Sequence, residues 1–264
     1  MILTIDESGS DRWATVCDEI LRDCGNQAGF YLEESERTGG TILELGCATG
    51  RISTCLAMAG MEVVGVDPSS SMLNLARQKG MAAKIGDGSS LNFVQARLPD
   101  FAGIPSRAFS LVIVPNNGFL SLLTVPDELQ FLGDLKERVA DGGKVIIDVE
   151  VPNPEILVSD SDILYHLGDV TMDTGSIVTL WERRIYDPHT QIATKWMVVE
   201  ESDESGLTTQ RFHHSYDMRY IYRWEMQHLL RLCGFEILDL LGDFKRNDFD
   251  ERSDRMVWVV SPTR

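Results

Sequence analysis

The segment Thr41–Gly50, TILELGCATG, decides the fold, together with VVGVDPSS at Val63–Ser70. Its first part, Ile42–Leu45, is a short apolar run that predicts a β-strand, and the residues Gly46–Gly50 follow with little or no side chain. Apolar residues then recur at helical spacing on one face, at Ile52, Cys55, Leu56 and Ala59. Gly60 stands where such a helix should end. A strand, a glycine-rich turn and a helix in this order place backbone N–H groups and a helix N-terminus beside any ligand on the turn.

A second apolar strand is predicted at Val63–Val66, and Asp67 lies at its carboxyl end. A carboxylate in this position can accept hydrogen bonds from both hydroxyls of a ribose. The turn departs from the dinucleotide fingerprint G-x-G-x-x-G, because its glycine positions read Gly46, Ala48 and Arg51. The two strands therefore predict a nucleoside site, and the substituted glycines disfavour a dinucleotide as its ligand.

Composition excludes several classes of protein. The chain has 264 residues, enough for one large domain with a sizeable core. The formal net charge of −17 argues against nucleic acid as a partner, because phosphate neutralisation needs a basic surface. No apolar stretch approaches membrane-spanning length, and the N-terminal residues MILTIDESGS lack the features of a signal peptide. We therefore expect a cytoplasmic protein with a small-molecule substrate and no membrane partner.

The five cysteines, Cys17, Cys24, Cys47, Cys55 and Cys233, are odd in number and form no CxxC pair. We interpret them as reduced thiols and small core residues, so the sequence predicts neither a disulfide framework nor a metal site.

The residues around the turn resemble a known family. The pattern E-x-G-x-x-x-G from Glu44 to Gly50, followed by Asp67, resembles motif I and the acidic motif of class I S-adenosylmethionine-dependent methyltransferases. Ala48 stands where many members have glycine. The resemblance implies S-adenosylmethionine as cofactor and S-adenosylhomocysteine as product. It implies cofactor contacts at Glu44, Gly46, Cys47, Gly50, Arg51, Asp67, Pro68, Met72, Ala96, Arg97, Leu98, Pro115 and Asn116.

Two further segments refine this resemblance. Residues 96–101, ARLPDF, stand where the family often has G/A-D-M-x-D-F, the segment that holds the adenine. Arg97 replaces the acidic residue, and an arginine cannot accept the adenine amino proton, although its plane can stack on the ring. Residues 115–119, PNNGF, resemble the P-x-N-x-F segment of bacterial small-molecule methyltransferases and lack the [N/D]-P-P-[Y/F] of many enzymes that methylate DNA bases. Asn117 either orients the substrate or the sulfonium, or only forms the turn.

The order of elements predicts an α/β fold. A helical stretch with a break at Gly25-Asn26 is expected over Asp11–Arg37, and five strands then alternate with helices. A helix at Pro126–Ala140 precedes the fifth strand at Lys144–Val149. Such alternation predicts a Rossmann-like, doubly wound sheet, which two C-terminal strands at Phe235–Leu241 and Met256–Val260 extend to seven. The tail from Arg219 to Phe244 also resembles the ending of the bacterial small-molecule group.

Between these parts, alternation of polar and apolar residues predicts an inserted three-stranded antiparallel sheet at Ile177–Tyr186, Gln191–Glu200 and Leu207–Met218. The expected division is residues 1–150 as a helical cover and S-adenosylmethionine-binding core, 151–218 as a sheet over the substrate crevice, and 219–264 as the end of the core.

The residues that act on the acceptor of the methyl group are predicted on the third of these segments, Leu207–Met218. Strand alternation puts Phe212, His214, Tyr216 and Met218 on one apolar, aromatic face, and His213 on the other. His214 is the candidate general base, and Tyr216 and Asn117 are further catalytic candidates. A histidine that only packs in the core is the alternative for His214. The residues expected to contact the substrate are Tyr31, Phe119, Arg219, Tyr220 and Tyr222. Core packing is the alternative for Tyr31, and a structural ion pair is the alternative for Arg219.

The predicted function is transfer of a methyl group from S-adenosylmethionine to a nitrogen or oxygen atom of a small molecule. Two other classes stay open. One is a catalytically silent S-adenosylmethionine-binding or scaffold protein, because the motifs concern the cofactor more than the chemistry. The other is an NAD-dependent oxidoreductase, which Arg51 in place of the third glycine disfavours.

Overall fold

The computed structural model describes residues 7–20, 25–86, 89–106, 108–157 and 161–263. Cys24 lies outside these ranges, as does the chain between the two N-terminal helices. The chain divides into two compact units, one made of Met1–Asp23 with Pro154–Tyr220, the other of Cys24–Asn153 with Ile221–Arg264. No helix in the described ranges is long and apolar enough to cross a membrane.

The helices are, in chain order, α1 (Glu7–Ile20), α2 (Gly25–Thr38), α3 (Arg51–Met58), α4 (Ser70–Ala82), α5 (Val125–Lys136), α6 (Pro154–Leu157) and α7 (Arg223–Leu232). The strands are β1 (Thr41–Leu45), β2 (Glu62–Asp67), β3 (Ser90–Gln95), β4 (Phe109–Val114), β5 (Val139–Glu150), β6 (Tyr165–Thr171), β7 (Ile177–Asp187), β8 (Ile192–Ser202), β9 (Thr208–Arg219), β10 (Phe235–Leu241) and β11 (Arg255–Pro262). A short 3₁₀ turn occupies Gly118–Ser121.

Seven strands form one sheet, sheet A, in the order β10-β11-β5-β4-β1-β2-β3. The five strands from β5 to β3 are parallel, and β11 pairs antiparallel with both β5 and β10. Their apolar residues form a buried core, because both faces of such a sheet are covered. The strand order reverses between β1 and β4, which is where open sheets of this kind bind ligands. The predicted Rossmann-like fold is therefore confirmed.

The predicted end of the helix Pro126–Ala140 was wrong. Helix α5 ends at Lys136, and β5 already begins at Val139, five residues before the predicted strand start at Lys144. Val139 pairs with Phe109, and the register then shifts so that Leu111 pairs with Lys144. A bulge thus keeps Asp141-Gly142-Gly143 inside the strand, with Gly142 at a φ of 73°. Asp141-Gly142-Gly143 predicted the end of a helix, but pairing of β5 with β4 places these residues in a strand.

The second sheet, sheet B, belongs to the other unit and has the antiparallel order β6-β7-β8-β9. The prediction that Ile177–Met218 forms strands outside the parallel sheet is confirmed. The sheet has four strands where three were expected, because β6 was missed. A register shift between His166 and Gly168 breaks the period of two in β6, and its residues alternate little in exposure.

Helix α1 packs on sheet B within its own unit. Trp13 and Val16 of α1 join an apolar cluster with strand residues, which are Val170, Val178, Leu180, Val199 and Phe212. The helical stretch predicted over Asp11–Arg37 consists of two helices, and α2 begins at Gly25, where a break was predicted. Helix α1 belongs to one unit and α2 to the other. The described cysteines, Cys17, Cys47, Cys55 and Cys233, are free thiols.

We predict that Gly50→Ala lowers the free energy of unfolding by roughly 2–5 kcal/mol. Gly50 has a φ of 70°, and a Cβ there would lie 2.7 Å from Cζ of Phe93 and 2.8 Å from Cβ of Ala76. Urea unfolding measures the change. The matched control is Gly39→Ala, since Gly39 has a φ of 63° but no atom near the added Cβ. It should cost only about 1–2 kcal/mol, and equal losses in the two variants would contradict the packing argument.

Candidate active site

The glycine turn after β1 is fastened to β2. The N–H groups of Gly46 and Cys47 both donate to the carbonyl of Val66, at 2.8 and 2.9 Å. Gly46 has a φ of 84° and Gly50 a φ of 70°, a backbone region that favours glycine. Gly50 caps the N-terminus of α3. The turn therefore presents a helix N-terminus at the carboxyl edge of sheet A, beside the end of β2.

Asp67 joins the turn after β1 to the turn after β2. Its Oδ2 accepts the N–H of Ala48 and its Oδ1 accepts the N–H of Ser69, each at 2.9 Å. Burial raises the pKa of this carboxyl, while the two backbone N–H groups lower it. Each carboxylate oxygen has a second lone pair, so it can also accept a ribose hydroxyl. Asp67 can therefore join the two turns, as observed, and also bind the hydroxyls of a ribose, as predicted.

Glu44 lies near the end of β1 and is almost completely buried, with 1% of its surface exposed. Burial raises its pKa to about 8, against the effect of hydrogen bonding with Ser53, whose hydroxyl donates to Oε2. Near neutral pH this side chain is therefore mostly protonated. A cationic group close to Glu44 would favour the ionised form and gain a charged partner.

The loop after β4 approaches the glycine turn through a second glycine. A Cβ added to Gly46 would lie 3.8 Å from Cα of Gly118, and one added to Gly118 would lie 3.3 Å from the carbonyl oxygen of Leu45. Asn117 ties this loop to β5, because its Oδ1 accepts the N–H of Glu150 at 2.7 Å and its Nδ2 donates to Oε2 of Glu150 at 3.3 Å. Side chains at either glycine would fill the space between the two loops.

Sequence analysis missed Asp148, which lies in β5 and has no exposed surface. Its carboxylate accepts hydrogen bonds from the backbone N–H of Asn116 at 2.6 Å and from Nη1 of Arg255 at 3.0 Å. The hydroxyl of Tyr31 and Nε2 of Gln27 also donate to it, each at 3.3 Å. Burial raises the pKa of Asp148, and the Arg255 guanidinium lowers it. The sequence did contain a signal for Asp148, because an aspartate inside the apolar run VIIDVE is expected to be buried and then needs hydrogen-bond partners.

Sequence analysis also missed Gln27 of α2. Its Nε2 donates to Oδ1 of Asn116 at 2.9 Å, and its Oε1 accepts from Nη2 of Arg51 at 2.8 Å. Gln27 thus links the predicted cofactor residues Arg51 and Asn116. No signal in the sequence distinguishes this glutamine from a solvent-exposed helix residue.

The other predicted cofactor residues lie in the segments that follow β1, β2, β3 and β4. Pro68 is exposed, Met72 donates its N–H to Oγ of Ser69 at 3.3 Å, and Ala96 donates its N–H to the carbonyl of Asp67 at 3.3 Å. The remaining ones are Cys47 and Pro115, which are buried, Leu98, which is partly buried, and Arg97, which is exposed. Burial raises the pKa of the Cys47 thiol.

Two residues predicted to contact substrate are buried in the core. Tyr31 has no exposed surface and is held by Asp148. Phe119 is also fully buried and packs edge-on against Phe131, with ring centroids 5.8 Å apart. Neither side chain offers surface to a substrate in this structure. Tyr222, at the N-terminus of α7, is 46% exposed.

The remaining acceptor-side candidates lie on β9 in the unit that contains sheet B. His214 stacks on Trp13 of α1 with ring centroids 4.5 Å apart and an angle of 22° between the rings. Its Nδ1 is buried and has no hydrogen-bond partner among the described residues. Burial lowers the pKa of His214 to about 4. The imidazole is therefore neutral at physiological pH and keeps a lone pair for a proton.

The two faces of β9 differ as predicted. Phe212, His214 and Met218 are more buried than their neighbours Arg211, His213 and Asp217, although Tyr216 is 37% exposed. His213 lies on the exposed face and accepts from Nε1 of Trp196 at 3.4 Å.

Arg219 and Tyr220, at the end of β9, form hydrogen bonds with Gln191, which directly precedes β8. Arg219 is buried and donates from Nη2 to Oε1 of Gln191 at 2.9 Å. Tyr220 donates its N–H to the carbonyl of Gln191 at 2.9 Å and packs edge-on against Tyr186. An amide oxygen is thus one partner of the Arg219 guanidinium.

Comparison with known proteins agrees with this geometry. Residues 42–143 match the family described as methyltransferase domain. A putative methyltransferase of Bacillus subtilis, YqeM, is 26% identical over 96% of this chain and 96% of its own length. The cypemycin N-terminal methyltransferase of a Streptomyces species is 25% identical over 84% of this chain and 83% of its own. A crystal structure of an S-adenosylmethionine-dependent methyltransferase from Clostridium acetobutylicum has a TM-score of 0.77 at 16% identity, covering 96% of this chain and 99% of that one.

Residues 42–143 thus match a methyltransferase domain, and the predicted resemblance to class I S-adenosylmethionine-dependent methyltransferases of the bacterial small-molecule type is confirmed. The cofactor of this family is S-adenosylmethionine. The residues present fit it. Asp67 can accept ribose hydroxyls, Glu44 suits a cationic group, and the paired glycines Gly46 and Gly118 leave a cradle that side chains would fill.

We predict that His214 makes the stability of the protein depend on pH. The folded pKa of about 4 lies below the ordinary value of 6.5, so the unfolded chain binds more protons between these two values. The free energy of unfolding of the wild type, relative to His214→Phe, should therefore fall as pH drops from 6.5 to 4, by at most about 1.4 kcal/mol per pH unit. Urea unfolding across this range measures it. The variant His213→Phe on the exposed face is the control, and a relative stability of wild type and His214→Phe that does not vary with pH would contradict the prediction.

Proposed function

We propose that the protein transfers the methyl group of S-adenosylmethionine to a nitrogen or oxygen atom of a small molecule. The observation that carries the proposal is the carboxyl edge of sheet A, where the glycine turn, Glu44 and Asp67 meet at the point of strand reversal. This combination suits a nucleoside that carries a positive charge. It does not suit a pyrophosphate, whose negative charge cannot favour the ionised form of Glu44.

S-adenosylmethionine supplies a methyl group on a positively charged sulfur, and the lone pair of the acceptor displaces S-adenosylhomocysteine, whose sulfur keeps the electron pair of the broken C–S bond. The protein contributes mainly by position and by exclusion of water. In this proposal Asp67 binds the ribose hydroxyls and Glu44 lies near the cationic part of the cofactor. His214 accepts the proton that the acceptor loses, because its Nδ1 has no partner in the described structure. Burial keeps the imidazole neutral and also makes it a weaker base than an exposed histidine.

A nitrogen acceptor is favoured over an oxygen acceptor. The cypemycin methyltransferase, to which this chain is 25% identical, acts on an N-terminus according to its name. The net charge of −17 also attracts a cationic amine over a distance of about one Debye length. The same charge disfavours nucleic acid as the substrate.

One observation favours a second function, a catalytically silent protein that binds S-adenosylmethionine. Tyr31 and Phe119 are buried, and both polar atoms of the Asn117 side chain are bound to Glu150. Three residues that were predicted to contact or act on the acceptor therefore have structural roles in the folded protein. Tight binding of S-adenosylmethionine without a methylated product from a broad panel of amines and phenols would favour this function.

We predict that Asp67→Ala weakens binding of S-adenosylhomocysteine by about 1.5–3 kcal/mol, the usual contribution of hydrogen bonds to a charged group. Isothermal titration calorimetry measures the affinity, and a thermal melt shows whether the variant is folded. Asp239→Ala is the matched control, because Asp239 lies on the exposed part of β10 and bonds only the neighbouring N–H of Leu240 in the described structure. Unchanged affinity in a folded Asp67→Ala would remove Asp67 from the site.

We predict that His214→Ala lowers kcat roughly 10²–10⁴-fold and leaves the affinity for the cofactor nearly unchanged. His213→Ala, on the exposed face, should keep almost full activity. Once an acceptor has been found with the panel described above, steady-state kinetics on both variants test this. Full activity in His214→Ala would show that the base lies elsewhere, with Tyr216 the next residue to substitute.

A further inference from the structure

An aromatic stack joins the N-terminal helix to the third strand of the inserted sheet. The indole of Trp13 in α1 lies on the imidazole of His214 in β9, with ring centroids 4.5 Å apart and 22° between the ring planes. Helix α1 is held against sheet B on both sides of Trp13. Arg12 forms an ion pair with Glu201 of β8, and Val16 packs in the apolar cluster of the sheet. The position of the indole over the imidazole is therefore set by the packing of the whole helix.

The neighbours of the imidazole on sheet B restrict it further. Met197 of β8 lies directly opposite His214 and is 4% exposed. The ring of Tyr216, two residues along β9, has its centroid 5.8 Å from that of His214. With an indole on one face and these side chains beside it, the imidazole has a fixed ring plane. A proton acceptor held in this way is preorganised.

Burial, and not a nearby charge, sets the protonation of His214. The ionisable side chains on the elements packed around it are Tyr216 on its own strand, Lys195 on β8, Glu182 on β7, and Arg12 and Cys17 on α1. Arg12 and Glu182 have charged partners of their own, Glu201 and Arg184. Burial lowers the pKa of His214 to about 4. The indole that covers one face of the ring is part of this burial.

The indole has two opposite effects on a proton at His214. It keeps water from the ring, which disfavours the imidazolium and lowers the pKa. Its π face also attracts a cation that lies over it within about 6 Å, which favours the imidazolium. The first effect keeps the base neutral before the reaction. The second acts only once the ring has gained a proton, so it stabilises the charge that forms during transfer.

We propose that Trp13 is a positioning residue for His214, holding the imidazole in the orientation that receives the proton and stabilising the imidazolium that results. The proposal rests on the proposed function, in which His214 is the general base. As the lone pair of the acceptor forms its bond to the methyl carbon, the C–S bond breaks and the sulfur keeps its electron pair. The proton that the acceptor loses passes to His214, which becomes positive beneath the indole. Helix α1 thus takes part in the chemistry of the acceptor although it lies far from β9 in sequence.

The environment of His214 is tested by nuclear magnetic resonance of its ring, which needs no acceptor. The ring is followed between about pH 8 and 5, above the wild-type pKa of about 4, in wild type and in three variants of Trp13. Trp13→Ala admits water, so the pKa should rise by about 1 or more and the ring should take up a proton within this range. The ring should stay neutral in wild type, Trp13→Phe and Trp13→Leu, which keep it covered. A ring that also stays neutral in folded Trp13→Ala would overturn the proposal.

The effect of the π face is tested by comparing Trp13→Leu with Trp13→Phe in steady-state kinetics, with an acceptor from the panel of amines and phenols. Trp13→Leu should lower kcat roughly 3–30-fold, because leucine covers the ring without attracting its positive charge. Trp13→Phe should stay within about threefold of wild type. Trp196→Leu is the matched control, because Trp196 contacts His213 on the opposite face of the sheet. Equal values of kcat in Trp13→Leu and Trp13→Phe would contradict the proposal.

A double-mutant cycle separates positioning of His214 from a general loss of structure. If Trp13 acts through His214, Trp13→Leu should have no further effect on kcat in a His214→Ala background. The same fold-loss in both backgrounds would show that Trp13 acts on the structure as a whole and would refute its positioning role.

Failure of this proposal differs from failure of the proposed function. If His214→Ala loses activity and Trp13→Leu is as active as Trp13→Phe, the role of Trp13 is refuted and the general base stands. If His214→Ala keeps full activity, the base itself is refuted, and the role of Trp13 with it.

Discussion

The two hydrogen bonds from the N–H groups of Ala48 and Ser69 to Asp67 hold the site together. They connect the turn after β1 to the turn after β2, so the glycine turn has one position relative to the next strand. The connection costs free energy, because Asp67 is buried and its pKa is raised by desolvation. The two N–H donors offset part of that cost. A carboxylate held in this way needs little rearrangement when a ribose arrives, and such preorganisation favours binding.

Asp67 is one of three buried carboxyl groups along this edge of sheet A, with Glu44 and Asp148. Burial raises the pKa of all three, and the charge of Asp67 raises that of Glu44 further. Asp148 has Arg255 as a counterion, whereas Glu44 is mostly protonated near neutral pH. A cationic cofactor would supply the missing positive charge. Carboxyl groups whose pKa values are raised together by burial and by one another are typical of functional sites.

Local chemistry explains which parts were predictable from the sequence. Gly50 and Asp67 could be identified because a left-handed turn and a strand-end carboxylate demand particular residue types. The early start of β5 could not, since Val139 is held in the strand by pairing with Phe109 across a bulge. Asp148 was detectable as a charge in an apolar run. Gln27 was not, because its role depends on α2 meeting β4 and β5, and such long-range contacts leave no local pattern.

The chain separates the two halves of the proposed chemistry into different units. The cofactor residues come from one continuous stretch, Cys24–Asn153, whereas His214 and its stacking partner Trp13 come from segments far apart in sequence. Sheet B is inserted between β5 and α7, and its strands β6 to β9 belong to a sheet separate from sheet A. Specificity for an acceptor can then change without loss of cofactor binding, as expected where function depends on sites added to a common fold. This separation also explains why the sequence indicates the cofactor clearly and leaves the identity of the acceptor open.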